Sequence, residues 1–111
     1  MSQYFLIVHY LTGSRADHAD ILPIEPHREL LIGRAANAAI RIPAEEGVVS
    51  RSHARIRVTN TRPIGLVLED LGSEAGTFVN QVRVLRPEVL RSGDSIRLGE
   101  AGPEFVVALE G

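Results

Sequence analysis

In His53-Ala54-Arg55-Ile56-Arg57-Val58 the apolar residues Ala54, Ile56 and Val58 alternate with His53, Arg55 and Arg57. Alternation with a period of two belongs to a strand with one face in a core and the other in water, and an amphipathic helix cannot carry it. The same short rhythm recurs at Tyr4 to Leu11, Leu30 to Ile32, Ile40 to Ile42, Leu66 to Asp70, Ser95 to Leu98 and Phe105 to Leu109. Turn-forming residues separate these runs, and no stretch carries a helical period. Many short strands at even spacing predict a two-sheet β-sandwich or a small barrel. The 111 residues suit one domain, spanning 1–111, with no linker, repeat or low-complexity tract to divide it.

The punctuation between the runs sets further expectations. Residues 12–29 carry Gly, Ser, Asp and two prolines around a brief Ile21-Leu22 pair, which predicts a loop holding at most one short edge strand. Thr77-Phe78-Val79 and Val82-Arg83-Val84 predict a hairpin across Asn80-Gln81. Gln81 occupies a place where glycine would adopt positive φ at lower cost.

Composition narrows the function classes. Cysteine is absent, so neither a disulfide framework nor a thiolate metal site is available, which suits a reducing, cytoplasmic setting. A net charge of −2 gives no overall basic field for nucleic acid, although all 12 basic residues are arginine. Tyr4 to Leu11 is too short to span a bilayer and reads as a strand. His9, His18, His27 and His53 show no metal-ligand spacing and are expected on strands and loops as surface residues, so neither a metal nor another cofactor is expected. Glu45 and Glu46 are expected to be solvated on a loop. Ser50 with His53 lacks an evident third partner, and no nucleophile elbow or Walker loop is present, so a hydrolase or transferase is not expected.

What remains is a set of motifs at strand ends: Gly33-Arg34, Ser50-Arg51-Ser52-His53, and Gly76-Thr77-Phe78-Val79-Asn80. Through "LLIGRAANAAIRI", "VVSRSHARI", "LEDLGSEAGTFVN" and "GDSIRLG" the chain resembles the forkhead-associated (FHA) domain family from Leu30 to Gly99. The resemblance implies an all-β, two-sheet sandwich of about eleven mostly antiparallel strands. It also implies loops that bind a Thr-phosphorylated protein or peptide in Ser/Thr kinase signalling. Phosphothreonine carries roughly −1.5 to −2 charges and three acceptor oxygens, so its receptor needs a fixed cation and neutral donors. By the family match Arg34 supplies the cationic fork and Ser50 a hydroxyl, while Arg51 touches the peptide backbone or the phosphate. Gly33, His53 and Gly76 shape and brace the loops, and Asn80, matching a position in the hairpin turn, is expected with them as structural support of the site.

One loop departs from the family. Where many phosphothreonine-binding members read Ser-Thr-Asn-Gly, this chain reads Ser73-Glu74-Ala75-Gly76. The family's asparagine helps to hold the backbone of the bound peptide, and Ala75 has no side-chain donor or acceptor for that task. Losing one neutral hydrogen bond costs roughly 0.5–1.5 kcal/mol, against about 8 kcal/mol for a micromolar complex. Two functions therefore stand: a phosphothreonine-dependent interaction module, or a module of the same fold that binds partners without phosphate.

Overall fold

Alternating runs become two stacked sheets because each strand has only one face to bury. The computed structural model describes residues 3–111. Its strands are β1 (Tyr4–Tyr10), β2 (Ala19–Ile24), β3 (Glu29–Gly33), β4 (Ile40–Arg41), β5 (Ala54–Val58), β6 (Leu66–Asp70), β7 (Thr77–Val79), β8 (Val82–Arg83), β9 (Glu88–Leu90), β10 (Ser95–Leu98) and β11 (Glu104–Glu110). A six-stranded sheet runs β2-β1-β11-β10-β7-β8, and a five-stranded sheet runs β4-β3-β5-β6-β9. All pairings are antiparallel except that of β3 with β4. The fold is the all-β sandwich that the alternation and the family resemblance predict, and no described helix is long and apolar enough to cross a membrane.

The core lies between the sheets. Leu6, Val8 and Tyr10 of β1 meet Phe105 and Val107 of β11 on one side; Leu30 and Ile32 of β3, with Ala54, Ile56 and Val58 of β5, fill the other. Each large aliphatic side chain removed from water there contributes about 1.5–3 kcal/mol. Tyr10 and Phe105 pack as tilted rings 5.7 Å apart.

Register brings particular loops together. Ile32 of β3 lies opposite Ala54 of β5, and Ala54 lies opposite Asp70 of β6. In the other sheet Leu98 of β10 lies opposite Thr77 of β7. The ends of β3, β6 and β10 and the starts of β5 and β7 therefore share one end of the sandwich. Loops 34–39, 42–53, 71–76 and 99–103 all emerge there.

Several expectations need correction. β2 has six residues and pairs with β1 along its length, so it exceeds the short Ile21-Leu22 edge strand. Pro23 is tolerated because β2 is an outer strand, and its outward carbonyl accepts a bond from Arg28 Nη1 at 2.7 Å. The edge strand β9 went unpredicted because its three residues are too few to show a period. β8 stops at Arg83, with Val84 buried beyond it. Asn80 and Gln81 both adopt positive φ, 49° and 74°, as a two-residue hairpin turn of the right twist demands. Glu46 is not free in solvent, since its Oε1 accepts the Ser14 backbone N–H at 2.7 Å. His53 does not belong on the wet face: it precedes β5 and is fully buried.

Candidate functional site

The loops at the shared end are built around Gly33. A Cβ at this position would lie 2.1 Å from the Arg51 carbonyl oxygen and 2.8 Å from that of Ser50, so only glycine lets the two backbones approach. Directly after it, the Arg34 N–H donates to the Ser50 carbonyl (3.2 Å) and the Ala35 N–H to the Arg51 carbonyl (3.0 Å). These bonds tie loop 34–39 to loop 42–53. Arg34 is half-buried, and its Nε donates to the Val49 carbonyl. Anchoring through Nε fixes the guanidinium plane and leaves both terminal nitrogens without a hydrogen bond among the described residues. Such a preorganised planar fork matches phosphate or carboxylate oxygens.

The Ser50 backbone is fixed through its N–H, which donates to His53 Nδ1 at 3.1 Å. Its hydroxyl makes no hydrogen bond among the described residues, so a free donor follows directly on Val49, the residue whose carbonyl anchors the Arg34 side chain. Arg51 is exposed. A fixed cation, a free hydroxyl and an exposed second cation can together neutralise and bind a dianion.

His53 joins this corner to loop 71–76. Its Nε2 lies 2.8 Å from the Gly76 carbonyl oxygen, while Nδ1 accepts from Ser50, which assigns the neutral tautomer protonated at Nε2. Burial holds its pKa below the ordinary 6.5, although the Gly76 carbonyl and Asp70 oppose that shift. With both ring nitrogens occupied by backbone groups, the imidazole is not positioned as a base for the Ser50 hydroxyl.

Loop 71–76 has its own scaffold. The Asp70 carboxylate accepts the backbone N–H groups of Gly72 and Ser73, each at 3.0 Å, and the hydroxyls of Ser73 and of Thr77, the latter at 2.7 Å. Burial opposes ionisation of this carboxyl, yet the hydrogen bonds from Ser73 and Thr77 outweigh it and hold the pKa below 3.8. Ser73 Oγ in turn accepts the Gly76 N–H at 3.1 Å. Gly76, at φ +86°, turns its carbonyl toward both His53 and the Gly99 N–H. Asp70 and Ser73 were missed by motif reasoning, although an aspartate two residues before Gly-Ser, as in Asp70-Leu71-Gly72-Ser73, is a signal for such a side-chain-to-backbone turn.

The residues singled out from sequence are thus distributed unevenly. Arg34, Ser50, Arg51, Gly33, His53 and Gly76 converge at one end. Glu74, exposed, and Ala75, half-buried beside Gly99, sit on the neighbouring loop 71–76. Asn80 lies at the far end of β7, where its side chain donates to Asp94 and accepts the Ser95 N–H, both at 3.0 Å. It clamps the hairpin to β10 and has no contact with the loop end.

The FHA domain family model matches residues 30–99, most of the chain. The chain belongs to the FHA family. A solved FHA domain from a structural and functional analysis of phosphothreonine-dependent FHA domain interactions is 29% identical, with 96% of this chain and 98% of that one covered and a TM-score of 0.74. The FhaA FHA domain, complexed with the intracellular domain of Rv3910, is 31% identical over 92% of this chain and 98% of its own, with a TM-score of 0.71. An FHA domain of an Arabidopsis thaliana hypothetical protein is 27% identical over 96% and 86%, at a TM-score of 0.79. Among curated protein sequences none matches. These likenesses agree with the motif positions: Gly33-Arg34 and Ser50 to His53 lie inside the matched span, as does the altered pair Glu74-Ala75.

Proposed function

We propose that this FHA domain, the single domain of residues 1–111, is a phosphothreonine-dependent protein-protein interaction module in cytoplasmic Ser/Thr kinase signalling. The carrying observation is Arg34, half-buried, anchored by Nε to the Val49 carbonyl and by its backbone N–H to the Ser50 carbonyl, with its terminal fork and the Ser50 hydroxyl both without a hydrogen bond among the described residues. In this reading Arg34 grips the phosphate bidentately, Ser50 donates to a third oxygen, and Arg51 reaches over the peptide. The relative studied for phosphothreonine-dependent interactions supports the ligand class. The reading makes the domain a binder rather than an enzyme, since His53 is committed to two backbone partners.

The test is calorimetry or anisotropy with a degenerate phosphothreonine peptide library, beside its unphosphorylated copy. Losing a bidentate charged contact removes about 3 kcal/mol, so Arg34→Ala is expected to weaken binding about a hundredfold. Affinity unchanged by Arg34→Ala would overturn the mechanism. A second reading, phosphate-independent binding, is favoured by exposed Glu74 and by Ala75, which lacks a side-chain hydrogen-bonding group. Equal affinity for phosphorylated and unphosphorylated partner at several salt concentrations would establish it instead.

A further inference from the structure

Beyond the loop end, one concave region combines free cations with exposed aliphatic surface. It is a hollow of about 390 Å³ between the Asp70–Gly72 stretch and the segment from Arg83 through Leu85 and Arg86 that connects β8 to β9. We propose that this hollow is a second docking subsite, which takes an acidic side chain from the same partner that presents the phosphothreonine. The proposal rests on the phosphothreonine reading of the loop end and extends it to what the partner carries beside the phosphorylated residue.

Continuity with the loop end is the first reason. The Arg83 guanidinium carbon lies 3.0 Å from where a Cβ on Gly76 would stand, so this side chain lies against the outside of the backbone whose carbonyl receives His53 and Gly99. A peptide held at Arg34 and Ser50 and continuing past Gly76 reaches Arg83 next.

Charge is the second. Arg83 and Arg86 are exposed and have neither a hydrogen bond nor an ion pair among the described residues. The acidic groups bordering the hollow are already committed: Glu69 is held by Arg55 at 3.2 Å and Arg57 at 3.3 Å, and Asp70 by Gly72, Ser73 and Thr77. Glu88 does not border the hollow. Glu69 is offset by its two arginines, and the one remaining carboxylate, ionised Asp70, has its oxygens engaged by neutral donors, so two uncommitted guanidinium groups leave a net positive site that suits a carboxylate. Glu74 is exposed on the adjoining loop and repels acid there, which confines the preference to the Arg83 side. Leu85, 83% exposed between the arginines, offers aliphatic cover to a residue beside the acidic one.

The test is fluorescence anisotropy on the whole chain with a phosphothreonine peptide in which aspartate is moved through each flanking position. One or two adjacent positions should raise affinity about fivefold, as exposed charge pairs allow. The gain should shrink with added salt and vanish in an Arg83→Gln, Arg86→Gln double variant that still binds the neutral-flanked peptide as tightly as the parent. Both positions are exposed, so the thermal midpoint serves as the folding control. A flat aspartate scan, or a gain that survives the double variant, overturns the subsite and leaves the phosphate reading standing. Absence of any phosphate-dependent binding overturns both.

Discussion

The corner formed by loops 34–39 and 42–53 and the neighbouring loop 71–76 share one end of the sandwich, joined through His53, yet they couple scaffold to chemistry differently. In the corner, the groups that shape the backbone and the groups offered to a ligand are chain neighbours: Gly33 before Arg34, and Ser50, whose N–H is fixed by His53 while its hydroxyl stays free. In loop 71–76 they are separate. Asp70 and Ser73 hold the turn by hydrogen bonds of their own, so positions 74 and 75 can change without loss of the fold. A binding loop can therefore keep its shape and lose its donor, and a shape match alone does not report affinity.

Substituting glycine in each region tests that contrast most severely. In Gly33→Ala the added carbon meets backbone oxygen at 2.1 Å, which no side-chain rotation relieves, and the corner must open. A loss of about 3 kcal/mol or more is expected in denaturant unfolding. Gly72→Ala, at φ +77° with nothing within 4 Å of the new carbon, should cost only about 1 kcal/mol, the conformational penalty alone. Equal losses in the two variants would erase the distinction between a corner shaped by close backbone approach and a loop held by side chains.

A gain of function sharpens the same comparison from the other side. If loop 71–76 kept its scaffold and lost only a donor, Ala75→Asn should restore one hydrogen bond to a bound peptide. Affinity for phosphothreonine peptides should rise about fivefold to tenfold, with unfolding stability within about 0.5 kcal/mol of the parent. Unchanged affinity in a folded variant would mean that position 75 no longer faces the ligand.

Local pattern carried the sandwich and contact across the chain did not. Ala54, Ile56 and Val58 were readable as core because a period of two is a property of neighbours. His53 broke the same pattern: strand pairing starts one residue later, and its burial depends on Gly76, 23 positions on. Gly33, Arg34 and Ser50 were legible through family motifs, yet the reason position 33 requires glycine, the Arg51 carbonyl, lies in a different loop. β9 was too short to register, and Asp70 was passed over because as the last residue of β6 it looked like the end of a strand rather than the anchor of a loop. Arg83 reads locally as one more outward residue of a hairpin; only the fold sets it against Gly76.

His53 makes the junction between the two regions sensitive to pH, and the sign follows from its environment. Its pKa is depressed in the folded chain by burial, so below the ordinary value of 6.5 the unfolded chain binds more protons than the folded one. Stability is therefore full above that value and declines as pH falls toward the folded pKa. Protonation also removes the Nδ1 lone pair that accepts the Ser50 N–H, which loosens the corner from loop 71–76. Asp70, likewise depressed, is lost only in the acid range below its ordinary 3.8, so the two groups act in separate windows. The thermal midpoint of the unliganded protein should drop between about pH 7 and pH 5.5, and His53→Gln should lower the midpoint at neutral pH and flatten the slope in that window. A slope that persists in the folded His53→Gln protein would place its origin outside position 53 and would remove the imidazole as the joint between the regions.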